Sequence, residues 1–202
     1  MPGANSPKVF YNKLKNYDIS WEKLSFMATD ERIVPFESSD SNTGMLDRYL
    51  VSQVKSSIKP RLIDLYPKED RQIEESLIKL NSFLSNNIPR IAFMGIGEDG
   101  HTAGVFSKIL NKNNCYLLKN SFEPYQRITI SLNLFLKVDY IIFYVLGNHK
   151  KKILAKILLE ENGNDFLPSK YLLENFKGKA LIICDKKSAP DRYKIGESII
   201  KF

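Results

Sequence analysis

The sequence predicts an α/β domain built on a mainly parallel sheet. Short, continuous apolar runs of strand length alternate with stretches whose apolar residues recur at helical spacing. The strongest runs each end in a polar, charged or Gly-containing turn, as strands do where an α/β sheet meets its ligand edge. With 202 residues, 43% apolar and 26% charged, the chain suits one domain and can bury a core without disulfide or metal staples. Cys115 and Cys184 form neither a metal spacing nor a CxxC pair, so a reduced, cytoplasmic compartment is the expectation. The longest apolar run, Tyr140 to Leu146, is far too short to span a bilayer. No charged segment followed by an apolar one opens the chain as a signal peptide would, and no membrane partner is expected.

In chain order, Pro2-Gly-Ala-Asn-Ser6-Pro7 reads as a loop ending in an N-cap Ser6 with Pro7 at the first helical position. The helix that follows carries Val9, Phe10, Leu14 and Tyr17. Leu24–Ala28 reads as a buried strand and Thr29-Asp-Glu-Arg32 as the charged turn after it. Arg61–Leu65 is a weaker strand, and Ile73, Leu77, Leu80 and Leu84 mark one face of a helix. Ile91–Met94 is a second buried strand, followed by Gly95-Ile-Gly-Glu-Asp-Gly-His101. A weaker strand, Arg127–Ser131, precedes the buried run Tyr140–Leu146, which leads into Gly147-Asn-His-Lys150. Ile153, Leu154, Ile157 and Leu158 stripe the next helix, and Ala180–Cys184 is the last buried strand. No internal repeat or linker interrupts this order, which predicts one domain.

In an open parallel sheet the carboxyl ends of the strands share one edge, so the turns after Ala28, Met94 and Leu146 converge there. Gly95-Ile-Gly97-Glu-Asp-Gly100 satisfies a G-x-G-x-x-G pattern, but Glu98 and Asp99 would repel a pyrophosphate. The acidic residue about 20 positions on that such a site uses also has no counterpart, since Lys119 follows Cys115–Leu118. Dinucleotide binding is therefore not expected. His101, one of only two histidines, stands beside this turn with a side chain suited to proton transfer near neutrality. The glycines, Gly97 among them, would let backbone N–H groups face a ligand oxygen. Asp30-Glu31-Arg32 would orient a base or bind a phosphate, and Lys150 at the next helix start would favour an anion. The loop before the first helix is a phosphate site by the same logic. The net charge of +7 admits an anionic partner, yet 23 of the 30 basic residues are Lys, a compositional pattern. No basic and aromatic residues interleave as a nucleic-acid surface requires, so no nucleic-acid partner is expected. Neither a nucleophile elbow nor a Walker loop is present, and the two histidines and two cysteines make no zinc pattern, so no metal is expected.

Together these segments resemble the 6-phosphogluconolactonases of the glucosamine-6-phosphate isomerase/6-phosphogluconolactonase superfamily. The resemblance rests on Thr29-Asp-Glu-Arg-Ile-Val-Pro35, Asp40-Ser-Asn-Thr-Gly44, Gly95-Ile-Gly-Glu-Asp-Gly-His-Thr-Ala103, Arg127-Ile-Thr-Ile-Ser131 and Gly147-Asn-His-Lys150, from Pro2 to about Asp185. It implies a single three-layer, Rossmann-like domain. It also implies hydrolysis of 6-phospho-D-glucono-1,5-lactone to 6-phosphogluconate in the oxidative pentose phosphate pathway, without metal or cofactor. The partner it implies is a small phosphorylated sugar lactone. By that resemblance His101 is the general base that activates water. Arg32 and Lys150 bind the substrate, chiefly its phosphate, with the loop of Gly3, Asn5 and Ser6. Asp30 and Asn42 line the pocket, holding hydroxyls or orienting Arg32.

The sister activity, glucosamine-6-phosphate deamination and isomerisation, is the alternative. Those enzymes resemble this chain in fold but carry Asp-Glu-Tyr where Arg32 stands, and a Glu after the His. Here the run Thr102-Ala-Gly-Val-Phe-Ser107 has no carboxylate. Ala4, Gly104 and Ser107 depart from the residues common in the family. The resemblance also implies a helix and a first strand ahead of Gly3 that this chain lacks. A truncated, non-catalytic sugar-phosphate-binding remnant is thus a third expectation.

Overall fold

A computed structural model describes residues 1–3, 7–66, 73–107, 112–118, 124–159, 165–191 and 200–201. Asn5 and Ser6 of the expected phosphate loop lie outside the described residues.

The chain opens with helix α1 (Pro7–Leu14), followed by strands β1 (Ser25–Met27) and β2 (Asp30–Arg32). Helix α2 (Asn42–Leu46) runs on through a wider turn, Asp47–Val51, to β3 (Arg61–Ile63). Helix α3 (Ile73–Asn86), β4 (Ile91–Met94), β5 (Cys115–Leu118) and β6 (Arg127–Ile130) come next, then α4 (Leu132–Phe135) and β7 (Tyr140–Val145). A 3₁₀ turn, Asn148–Lys150, opens α5 (Lys151–Leu159), and α6 (Pro168–Asn175), β8 (Lys179–Cys184) and β9 (Ile200–Lys201) complete the order.

The fold is α/β, but the strands pair as mixed sheets rather than as one mainly parallel sheet. β4, β7 and β8 lie side by side in parallel, with β9 antiparallel on the outer edge. Among the described residues β1 pairs in parallel with β3 alone, while β2, β6 and β5 form an antiparallel sheet. The expected turn Asp30–Arg32 is itself a short strand. The chain leaves β1 at Ala28 and is captured by β6, with Ile130 N–H donating to Thr29 C=O at 3.0 Å. An acidic, charged tripeptide satisfies its backbone this way because β6 is buried along its whole length and offers a full ladder.

The strands expected from apolar runs form within a residue or two of their predicted ends, and the helical stripes pack as read. Leu80 and Leu84 of α3 and Ile153, Leu154 and Ile157 of α5 are buried in the main core with Met94, Ile141 and Phe143. A second, smaller core gathers Tyr11, Trp21, Leu46 and Leu50 beside α1. There the expected face is rotated. Val9 and Tyr17 are exposed, and fully buried Tyr11 anchors the helix, its hydroxyl donating to Pro2 C=O at 2.8 Å. Among the described residues no helix is long and apolar enough to cross a membrane.

Asn81 ties α3 to the antiparallel sheet. Its Oδ1 accepts from the N–H of Asn114 (2.8 Å) and Cys115 (3.0 Å), and its amide donates to Cys115 C=O. Asn81→Ala strands these buried backbone groups, so urea unfolding should show a loss of about 1–3 kcal/mol. Asn81→Asp, which keeps the acceptor, should recover part of it.

Candidate functional site

The turn between β4 and the segment Thr102–Val105 is closed by its own hydrogen bonds. Gly97 N–H donates to His101 C=O at 2.8 Å, Gly100 N–H to Gly97 C=O at 3.0 Å, and Thr102 Oγ1 to Gly95 C=O at 2.8 Å. The N–H of Gly97 is therefore used inside the turn and does not face outward as a ligand donor. The position is Gly for a different reason. A Cβ there would lie 2.1 Å from His101 Nδ1 and 2.6 Å from Asp99 Oδ1, so the missing side chain is what lets the ring lie against the turn.

His101 Nδ1 meets Asp99 Oδ1 at 2.5 Å, and the same oxygen accepts the His101 backbone N–H. Asp99 thus holds the ring by Nδ1 and leaves Nε2 as the nitrogen available to a reactant. The ring is about one-third exposed and rests on Phe106, with centroids 4.4 Å apart. Burial works against a charge on Asp99, but the His101 charge and the His101 hydrogen bonds outweigh it. The carboxyl is held below the usual aspartate range.

Lys150 reaches the same turn. It ends the 3₁₀ turn after Gly147, whose φ of 94° lets the chain reverse out of β7. Burial lowers its pKa, and the charges of Glu98 and Asp99 partly offset that. The loop presenting Lys150 is fastened from the end of β8. Asp185 Oδ1 accepts from Gly147 N–H at 3.0 Å, and Ser188 Oγ donates to Val145 C=O at 2.8 Å.

A second cluster forms around β2. Asp30 Oδ2 pairs with Arg127 Nη1 at 2.8 Å, and the two side chains are only 7% and 11% exposed. Asn42 Nδ2 donates to Asp30 C=O at 2.9 Å. Gly3 lies directly against Asn42, and a Cβ on it would fall 2.0 Å from Asn42 Oδ1. Asp30 therefore orients Arg127, not Arg32. The Arg32 guanidinium donates to Asp40 C=O at 2.9 Å and faces the Asp40 carboxylate, which also accepts from Tyr125 Oη at 3.1 Å. The two clusters meet where Gly104 N–H donates to Thr129 Oγ1 at 3.0 Å, close beside Asp30. The structure thus joins His101, Gly97 and Lys150 at one turn and Gly3, Asp30 and Asn42 at the neighbouring one, with Arg32 next along β2.

The structural roles of three residues here lie beyond sequence reasoning. Asp99 was weighed only as a repulsive charge; its place two residues before a His, where an Asp side chain bonds locally, was the available signal. Arg127 had one signal, an Arg opening an otherwise apolar strand. Buried Glu31 had none. Its carboxylate accepts from the N–H groups of Asn42 (2.8 Å) and Thr43 (2.6 Å), from Arg32 N–H (2.8 Å) and from Ser41 Oγ (3.1 Å), capping α2 from a distant strand.

The family described as glucosamine-6-phosphate isomerases/6-phosphogluconolactonase matches residues 1–182. The chain is 31% identical over 182 residues to a 6-phosphogluconolactonase of Helicobacter pylori, covering 87% of this chain and 78% of that one. The solved 6-phosphogluconolactonase of Thermotoga maritima superposes with a TM-score of 0.75 at 25% identity, covering 91% of this chain and 83% of the other. A solved monomeric glucosamine-6-phosphate deaminase superposes with a TM-score of 0.78 at 16% identity, covering 93% and 85%, a likeness of fold alone.

Glu31→Ala should cost about 1–3 kcal/mol for each buried donor left unpaired, read as a lowered urea midpoint. Asp99 contributes stability above its unfolded pKa of about 3.9 that is lost as pH falls through its lower folded value. The advantage of the wild type over Asp99→Asn should therefore fade below about pH 4. In His101→Ala, which removes the ring's charge and its hydrogen bond, the NMR titration midpoint of Asp99 should move up.

Proposed function

The chain belongs to the glucosamine-6-phosphate isomerase/6-phosphogluconolactonase family, and we propose that it hydrolyses 6-phospho-D-glucono-1,5-lactone to 6-phosphogluconate. The observation that carries this reading is the Asp99–His101 pair at the end of β4, with a partly desolvated lysine beside it. Curated relatives named as 6-phosphogluconolactonases support the choice of substrate.

In this reading His101 Nε2 takes a proton from water as the water oxygen attacks the lactone carbonyl carbon. Asp99, on Nδ1, stabilises the imidazolium that forms and fixes the ring's direction. The tetrahedral oxyanion then collapses, the bond from the carbonyl carbon to the ring oxygen breaks, and the departing oxygen recovers the proton from His101. The product is the open-chain acid. A lactone is already an activated ester, so a positioned base and a held phosphate supply much of what is needed. Lys150 and Arg32 take the phosphate. An anion beside Lys150 offsets the cost that burial places on its ammonium, and Asp40 and Tyr125 hold Arg32 for a charge-assisted contact. Gly3 and Asn42, beside Asp30, complete the sugar-phosphate side of the pocket, and the family resemblance adds Asn5 and Ser6 to its ligands. No carboxylate occurs between Thr102 and Ser107, which favours the lactonase over the deaminase reading.

His101→Ala should lower kcat by about 10²–10⁴ with KM little changed; unchanged turnover removes the base assignment. Lys150→Ala and Arg32→Ala should weaken binding of the phosphorylated lactone by about 1.5–3 kcal/mol each and leave an unphosphorylated lactone unaffected. Ammonia release from glucosamine 6-phosphate would overturn the reading in favour of the sister activity.

A further inference from the structure

The far end of β2 holds an anion that belongs to the chain itself. The ladder between β2 and β6 runs on by one bond, Ile33 N–H donating to Gln126 C=O at 2.9 Å, which carries Tyr125 alongside Arg32. Arg32 stands directly opposite Arg127 in the strand register, so two guanidinium groups start from one face of the sheet. Arg127 is answered by Asp30 at 2.8 Å. Arg32 has a looser answer. The Asp40 carboxylate stands 3.6 Å from Arg32 Nη1, beyond hydrogen-bond distance, and is 44% exposed.

The firm contact to Arg32 comes from the Asp40 main chain. Nη1 donates to Asp40 C=O at 2.9 Å, and Asp40 N–H donates to Ser38 Oγ at 3.1 Å, so the backbone holds the guanidinium whichever way the carboxylate points. Among the described residues the other N–H groups of Arg32 make no hydrogen bond through the side chain. The second oxygen of the Asp40 carboxylate accepts from Tyr125 Oη at 3.1 Å. That bond raises the Tyr125 pKa, and the Arg32 charge acts against the rise, so the cation reaches the hydroxyl as well. A cation from β2 and a hydroxyl from the approach to β6 thus converge on one exposed monoanion. A phosphate monoester offers the same donors about two negative charges and three acceptor oxygens, in a shape that a guanidinium fork fits.

We propose that a ligand's phosphate displaces the Asp40 carboxylate and takes over its two donors, the Arg32 guanidinium and the Tyr125 hydroxyl. Tyr125 is then a phosphate ligand, and Asp40 is a resident competitor that sets how strong an anion must be to enter. A ligand carboxylate trades like for like at this position and gains nothing. A phosphate gains charge and a bidentate contact. The inference rests on the reading that Arg32 takes the phosphate.

The test titrates inorganic phosphate into the full chain, followed by phosphorus NMR, with acetate as competitor. Neither side chain belongs to either core, so neither variant threatens the fold. Tyr125→Phe should raise the phosphate Kd about tenfold, the loss of one hydrogen bond to a charged group. Asp40→Asn keeps the carbonyl that holds Arg32 and should lower the Kd about fivefold, a gain that fades at high salt. Acetate should compete with phosphate in Asp40→Asn and not in the wild type. An unchanged or raised Kd in Asp40→Asn overturns the proposal and leaves the carboxylate as a prop for Arg32. An unchanged or lowered Kd in Tyr125→Phe overturns it too. Arg32→Ala separates the two levels. Phosphate affinity untouched by Arg32→Ala strikes down the reading of Arg32, and the proposal with it. A loss of affinity there, joined to either failure above, strikes down the proposal alone.

Discussion

Two adjacent carboxylates on one three-residue strand carry the organisation of this half of the molecule. Asp30 binds Arg127 in a nearly dry environment, and Glu31 caps α2 through two backbone N–H groups and Ser41. A buried ion pair contributes little net stability against an apolar alternative, but removing one partner costs about 3–5 kcal/mol because the other charge is left buried alone. The arrangement is therefore a commitment more than a source of stability. Once β2 lies on β6, the positions of Asn42, Gly3 and Arg32 follow. The antiparallel sheet serves as the floor on which the polar residues are set, and its Ile128 and Ile130 join the apolar parallel strands in the core.

The His101 side is organised on a shorter scale. The turn after β4 closes on itself through the N–H groups of Gly97, Gly100 and His101, and Asp99 grips His101 from two residues away. In the proposed reaction, a base held by such local bonds would lose little orientational freedom when substrate arrives, since the freedom was given up on folding. Lys150 differs. Its charge is partly desolvated and faces two acidic neighbours, a setting in which a bound anion relieves a cost already present. His101 and Lys150 thus meet at one turn from different strands, and the Gly104–Thr129 bond ties that turn to the floor.

Much of the fold was legible because apolar periodicity reports burial directly. Ile91–Met94, Tyr140–Val145 and the stripes on α3 and α5 stand where the pattern puts them. Strand direction and partner were not legible, because neither leaves a mark on composition. Asp30–Arg32 reads as a charged turn until the residues that neutralise it are known, and Arg127 lies 97 positions away. Tyr11 is a related case, since the buried acceptor for its hydroxyl, Pro2 C=O, leaves no mark in composition. His101 stood out because a Gly-rich turn at a strand end is a local pattern. The roles of Asp99 and Glu31 depend on hydrogen-bond geometry, which residue type alone does not encode.

The fastening of the Gly147 loop by Asp185 and Ser188 has a consequence for how this pocket can change over time. The residues that aim Lys150 belong to the end of β8, 38 positions along the chain, and include no residue assigned to bind substrate. Variation there retunes the cation's reach by small steps while His101 and its turn stay fixed. Under the proposed activity, preference among phosphorylated ligands can then drift without passing through an inactive enzyme. Selection on specificity and selection on chemistry fall on separate stretches of the gene.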